Sequence, residues 1–221
     1  MIYVYNHLGL GDHFIVNGLI RELTKDYDIV NIFVKKHNID TVKALYFEDK
    51  FNFIIVNNDN EVDLSKTPII KIGFEKLDVR NQRFDESFYK QFNIPFQYRW
   101  DKFKMKRNTI KEKELFEKYD IKEGGYIFLH DDSTRNYIIN RDYIKNKNLK
   151  IITPKLGLTK NMIDYSYIIE NAKEIHCMDS SFRLLIDSLD MVNVDKYYHI
   201  YVRGNTNINV SNSKYNWKKI L

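Results

Sequence analysis

Two small α/β domains, each a parallel sheet flanked by helices, are what this sequence predicts. Three observations lead there. Short β-branched and aromatic runs alternate with segments of helical periodicity along 221 residues, the pattern of strands joined by crossover helices. The first strand runs straight into a glycine-bearing turn and an amphipathic helix. After Gly124-Gly125 the alternation starts again.

The elements follow in order. Ile2–Tyr5 reads as a strand, and from Asp12 on, Ile15, Val16, Leu19, Ile20 and Leu23 share one helical face. A second strand is expected at Ile29–Val34, a helix near Thr41–Phe47, and strands at Phe53–Val56 and Pro68–Ile72. Leu77 to Arg107, with Pro95 in its middle, reads as irregular. A helix at Ile110–Tyr119 opens the second series. Strands are expected there at Tyr126–His130, Lys150–Thr153, Ile175–Met178 and Tyr198–Val202, and helices at Asn161–Asn171 and Ser180–Leu189. The boundary falls near residue 105, giving Rossmann-like domains over 1–105 and 106–221 that face a cleft. One continuous sheet is the alternative.

Composition narrows the function. Hydrophobic residues make up 43% and charged residues 29% of the chain, the balance of a globular protein with a core. No apolar run approaches the ~20 residues of a membrane span. No basic segment followed by an apolar one opens the chain, so the cytoplasm is the expected compartment. The single cysteine, Cys177, excludes an intrachain disulfide framework and a cysteine-based zinc site. A net charge of +5 suits an anionic ligand or a membrane-proximal substrate but is too mild to argue for nucleic acid. The densest basic stretch, Arg99–Arg107, reads as a solvated connector or as a surface that meets phosphates or anionic lipid.

In open parallel sheets, ligands sit beyond the carboxyl ends of the strands, so the turns after strands are the places to search. The first turn, His7-Leu8-Gly9-Leu10-Gly11-Asp12-His13, combines flexible glycines with a helix N-terminus. Asp12 falls where an N-cap is expected. It also reads as a carboxylate able to take a proton from an acceptor hydroxyl. His13 and His7 are weaker candidate bases. As a dinucleotide fingerprint the turn has only two of three glycines, with Phe14 at the third. Lys35-Lys36 stand where an acidic residue is expected, which would tolerate NADP.

The second turn is His130-Asp131-Asp132-Ser133-Thr134-Arg135. Hydroxyls with a guanidinium suit a phosphate, while an Asx turn closed by an Arg–Asp pair is the competing reading. The third is Asp179-Ser180-Ser181, ahead of a helix whose Phe182, Leu185, Ile186 and Leu189 form one apolar face. It offers backbone N–H groups and hydroxyls to an anion, or a plain N-cap, with Arg183 one turn in. His176 and Cys177 read as packed within a strand. Asp59 with Glu61 or Asp63, after the strand ending at Val56, mimics acids that hold Mn²⁺ under a diphosphate. That spacing carries the rival reading of a metal-dependent GT-A enzyme.

With these residues in hand, the chain resembles glycosyltransferase family 9, the bacterial heptosyltransferases of the GT-B fold. Gly11-Asp12 is similar to the family's G-D loop, and Leu129-His130 with Ser133-Thr134-Arg135 to its L-H-x-T-T-R stretch. Pro154-Lys155-Leu156-Gly157-Leu158, a helix, and Met178-Asp179-Ser180-Ser181 follow the order of its P-K-x-x-L turn and D-T-G. The chain departs in its Ser-Ser after Asp179 and in its shorter length, so only sugar transfer carries over, not heptose or lipopolysaccharide. The resemblance implies an inverting, metal-independent transferase without a cofactor. Asp12 would be its base. Gly11, His130, Ser133, Thr134, Arg135, Lys155, Asp179, Ser180, Ser181 and Arg183 would hold a nucleotide-sugar donor, and a glycan or other hydroxyl would be the acceptor. A non-catalytic nucleotide- or sugar-binding module is the remaining alternative.

Overall fold

The computed structural model describes residues 1–74, 83–191, 194–203 and 211–221. The chain divides into two compact units. One spans Met1–Arg107 and takes in a short C-terminal piece that includes Asn212; the other holds the rest from Asn108 onward. Asn212 is fastened to the first unit by its backbone N–H, which donates to Asp85 Oδ2 at 2.7 Å. No helix among the described residues is long and apolar enough to cross a membrane.

In the first unit, strands β1 (Ile2–Asn6), β2 (Val30–Lys35), β3 (Phe51–Val56) and β4 (Ile69–Ile72) form a wholly parallel sheet of order β3-β2-β1-β4. Val4, Ile32, Phe33 and Val34 are almost fully buried, as near-continuous apolar strands are when both sheet faces are covered. The single helix expected from Asp12 onward is two, α1 (Leu10–Ile15) and α2 (Asn17–Leu23), separated at Val16. Helix α3 (Ile39–Leu45) precedes β3.

The stretch read as irregular contains α4 (Phe84–Lys90) and the single turn α5 (Tyr98–Asp101); residues 77–82 of it lie outside the described residues. Aromatic crowding had hidden the periodicity of α4, whose Phe88 and Tyr89 are buried. The Asp85 carboxylate there, fully buried, pairs with Arg99.

Helix α5 docks on α2 at Gly18. A Cβ at Gly18 would lie 2.0 Å from the Tyr98 carbonyl oxygen. Alanine for glycine inside a helix ordinarily gains about 1 kcal/mol. Here the backbone contact reverses the sign, and Gly18→Ala is expected to cost roughly 1–3 kcal/mol of overpacking, read as a lower urea midpoint at unchanged m-value.

The second unit opens with α6 (Thr109–Glu117), capped by Asn108, whose side chain accepts from Lys111 N–H at 3.1 Å. Strands β5 (Tyr126–His130), β6 (Lys150–Ile152), β7 (Glu174–Cys177), β8 (Asp195–His199) and β9 (Lys218–Ile220) form a second parallel sheet of order β6-β5-β7-β8-β9. The expected Asn161–Asn171 helix is a 3₁₀ turn, Met162–Tyr165, running into α7 (Ser166–Glu170). Helix α8 (Ser181–Ser188) buries Leu184, Leu185 and Ile186, each contributing roughly 1.5–3 kcal/mol over an exposed side chain. The last strand expected, Tyr198–Val202, is displaced: β8 ends at His199 and a 3₁₀ turn carries Ile200–Arg203. Strand β9, with its run of lysines, was not anticipated.

Each sheet reverses its order of growth once, at β1/β4 and at β5/β7. Such switch points open a crevice beyond the carboxyl ends of the strands. The glycine turn follows β1, and the His130 and Asp179 turns follow β5 and β7. All three lie at switch points.

Candidate functional site

In the first unit, Asp12 is not the cap of its helix. Gly9 occupies that position, with no side-chain cap, and Gly11 and Asp12 are the second and third residues of α1. A Cβ at Gly9 would lie 2.5 Å from Asp12 Oδ2, so the missing side chain makes room for the carboxylate. Burial is the main influence on Asp12 and pushes its pKa up to about 6, against the opposing pull of the His7 and Lys35 charges. A carboxylate so placed sits near the pKa that suits a general base at neutral pH.

The surroundings of Asp12 come from neighbouring strand ends. The His7 ring nitrogen Nε2 lies 3.0 Å from the Gly73 carbonyl oxygen, and the ring packs 4.5 Å from that of Phe74. Gly73 has φ +88°, and a Cβ on it would strike both His7 and Phe88 within 3 Å; only glycine fits that bend. Lys35, at the end of β2, pairs with Asp59 at 3.3 Å, and Tyr5 donates to Asp59 Oδ1 at 3.1 Å. His13, by contrast, is fully buried, with neither ring nitrogen hydrogen-bonded and its pKa lowered by burial to about 3. It is a packed neutral ring and no base.

The acids of the metal-site reading separate. Asp59 faces Tyr5 and Lys35, Glu61 accepts from the Asn57 backbone at 2.8 Å, and Asp63 accepts from Ser65. Among the described residues no three His, Cys, Asp or Glu side chains group as metal ligands.

In the second unit the β5 and β7 turns meet. His130 Nδ1 lies 3.2 Å from Ser180 Oγ, and the ring packs 4.4 Å from Phe182. Burial lowers the His130 pKa to about 4, so the imidazole is neutral at pH 7. Ser180 caps α8 by accepting from Arg183 N–H at 3.4 Å, and Ser181 is the first residue of the helix. The N-cap reading of this turn is therefore what the structure shows.

Arg183, expected among the donor-holding residues, is turned inward. Its side chain is buried, with Nη1 donating to Asp187 at 3.0 Å and Nη2 to Asp179 at 3.4 Å. The cation that sequence reasoning missed is Arg203, whose Nη1 donates to the Asp179 carbonyl at 2.9 Å and lies 3.8 Å from its carboxylate. Two arginines thus offset the charge of Asp179. The 3₁₀ turn after β8 turns Arg203 toward the strand ends, where a continued strand would have alternated past it; only its position just after a strand could have signalled it.

The turn of Arg135 closes on itself. Asp132 accepts from Thr134 Oγ1 at 2.6 Å and from Arg135 Nε at 2.5 Å, as the Asx-turn reading had it. That ion pair is exposed, and such pairs contribute only about 0–1 kcal/mol, so an arriving phosphate would compete well for the guanidinium. Arg135 and Arg203 both lie near the Tyr137 ring, at 5.9 and 5.2 Å from its centroid. Ser133 is exposed beside them. Lys155 is carried on the turn after β6, its ammonium 5.4 Å from the Tyr119 ring centroid. His176 and Cys177 are buried, His176 bonding to His199 at 2.9 Å and burial pushing the thiol up to about 12.

Two parallel α/β sheets, each with polar turns at its switch point, define an α/β protein of two Rossmann-like units. No protein-family model matches the chain, and no curated protein matches its sequence. Among solved structures it is similar to a family 9 glycosyltransferase from Veillonella parvula DSM 2008, at TM-score 0.57 and 8% identity, covering 99% of this chain and 85% of that one. E. coli heptosyltransferase WaaC, solved with ADP-2-deoxy-2-fluoro heptose, aligns at TM-score 0.49 and 10% identity, over 90% of this chain and 88% of its own. The chain therefore has the fold of a family 9 glycosyltransferase.

Proposed function

We propose that the protein is a glycosyltransferase that moves a sugar from a nucleotide-sugar donor to an acceptor hydroxyl. The observation that carries this is Asp12, a carboxylate with its pKa raised to about 6 at the carboxyl end of β1, in a chain with the fold of a family 9 glycosyltransferase. Asp12 accepts the proton of the acceptor hydroxyl as that oxygen attacks the anomeric carbon. The bond to the donor's diphosphate breaks as the new glycosidic bond forms, and direct displacement inverts the anomeric centre.

The second unit takes the donor. The hydroxyls of Ser180 and Ser181, the N-terminal N–H groups of α8, and the guanidiniums of Arg203 and Arg135 stabilise the charge that develops on the leaving diphosphate. Ser133 and Thr134 flank that position, and Lys155 would meet the base or ribose. Arg183 acts at one remove, by fixing Asp179. Positive charge from the protein fills the role a metal plays elsewhere, and the reaction is proposed to be metal-independent.

A ligand that binds only the native state raises its melting temperature. A thermal-shift series with UDP, GDP, ADP, CMP, dTDP and NADP, each in EDTA and in Mn²⁺, is expected to give one nucleoside diphosphate that stabilises equally in both. A shift that requires Mn²⁺ would overturn metal independence, and a shift with NADP alone would overturn sugar transfer.

A further inference from the structure

We propose that the buried His176–His199 pair is an acid-sensitive latch: it fastens the connection between β5 and β6 over the second sheet and lets it go on acidification. The connection, residues 131–149, carries two 3₁₀ turns, Ser133–Arg135 and Arg141–Tyr143. It covers the sheet with Ile139 and Ile144, which pack on Ile127 and Leu129 of β5. The two histidines lie on that same face. Parallel pairing sets His176 beside Leu129 and Tyr197, and His199 follows Tyr197 by two residues, the repeat of a strand. Each histidine is 1% exposed.

The partners of the rings fix their protons. His176 Nε2 lies 3.4 Å from Glu174 Oε2, and His176 Nδ1 lies 2.9 Å from His199 Nε2. A carboxylate oxygen only accepts, so His176 Nε2 carries a proton and donates it to Glu174. In the neutral ring Nδ1 is then a lone pair, and the proton between the rings belongs to His199 Nε2. His199 Nδ1, buried with no hydrogen-bond partner, is the bare nitrogen. Two neutral rings thus complete the arrangement. A third proton leaves His199 Nδ1 protonated whichever ring holds the charge, and a buried donor with nothing to accept from it is unfavourable. A fourth would set two N–H groups head to head.

The pair is tied to the connection above it. Asn146 Nδ2 donates to Glu174 Oε1 at 3.3 Å, the Asn140 N–H to Tyr201 Oη at 2.8 Å, and the Ile139 N–H to Asp131 Oδ1 at 2.9 Å. The rings of Tyr143 and Tyr201 lie 6.2 and 5.7 Å from that of His199, and Tyr197 stacks on His176 at 4.5 Å. On β9, Lys218 lies 5.1 Å from the Tyr197 centroid and pairs with Asp195. Burial lowers the pKa of both imidazoles, that of His199 to about 4; Glu174 and Asp131 pull the other way, and Arg141 adds to the lowering. Protons need no route into the closed form. Once the connection lifts, both rings bind protons as ordinary imidazoles, at about pH 6.5. Linkage then draws the equilibrium toward the open form as pH falls from there toward 4, by up to about tenfold per pH unit for each proton taken up.

The test is hydrogen exchange of the intact chain, read by NMR at the Ile139 and Asn140 amides. Their opening constant is the exchange rate divided by that of an unstructured peptide at the same pH. Between about pH 6.5 and pH 5 it is expected to rise at least roughly tenfold in the wild type. His199→Gln keeps a donor toward His176 and takes up no proton, so there the rise should fall below about threefold. Amides of β2, in the first unit, should respond alike in both proteins. If the variant is unprotected already at pH 7, the imidazole nitrogen signals of the wild type decide. They should show both rings neutral with the proton on Nε2 at pH 7, and titrating together with the opening constant. An opening constant flat with pH, an equal rise in the variant, or a charged ring or an Nδ1-protonated His199 at pH 7 would overturn the proposal.

Discussion

Asp12→Asn is expected to abolish sugar transfer while making the protein more stable at pH 7. Loss of a positioned general base lowers kcat by roughly 10²–10⁴-fold, with nucleotide binding by the second unit retained. The stability gain follows from linkage. The folded-state pKa of Asp12, about 6, lies above its ordinary 3.8, so the folded protein holds the proton more tightly than the unfolded chain. The favourable contribution of that proton is complete below pH 4 and is lost as pH rises through 6. At pH 7 the ionised, partly buried carboxylate is a burden on the order of 2 kcal/mol, which a neutral amide removes.

Two measurements check this. Thermal melts of both proteins should differ at pH 7 and converge below pH 4. In the wild type, kcat/KM should rise with pH and level off above about 6. A variant that is less stable at pH 7, or a wild-type profile flat across pH 5–7, would assign Asp12 a structural role instead.

Asp187→Ala is expected to be the most damaging single truncation in the second unit. Asp187 is fully buried on α8. It pairs with Arg183 at 3.0 Å and also accepts from Ser213 Oγ at 2.6 Å and Trp217 Nε1 at 3.1 Å. Its removal strips the buried guanidinium of its shorter carboxylate contact and takes away the acceptor of the Ser213 hydroxyl, while Trp217 Nε1 keeps Ser213 Oγ at 2.9 Å. Breaking a buried ion pair costs about 3–5 kcal/mol, enough to take a large share of a domain's stability. Urea unfolding followed by Trp fluorescence is the measurement. A loss below about 1 kcal/mol would mean that the pair contributes no more than a surface ion pair.

Asp187 also shows where sequence reading ends. On the helical wheel it is an unremarkable acid at the end of α8. Two of its partners, Ser213 and Trp217, come from 26 and 30 residues downstream, and no local pattern announces them. Arg183 shows the same limit: its position near a helix N-terminus suggests a ligand-facing cation, but packing turns the side chain inward between two carboxylates.

What the sequence by itself determined is strands β1 to β7, the doubled α/β plan and the three turns that follow β1, β5 and β7. These depend on β-branched runs, helical periodicity and glycine placement, all short-range properties of the backbone. Tertiary structure decided the rest. It placed Asp12 inside its helix rather than at the cap, where the missing side chain of Gly9 leaves room for the carboxylate. It formed α4 around Phe88 and Tyr89, where burial outweighed an unclear pattern. It brought Arg203 to Asp179. Charge pairing and burial depend on which surfaces meet in space, and that is settled only when the sheets are packed.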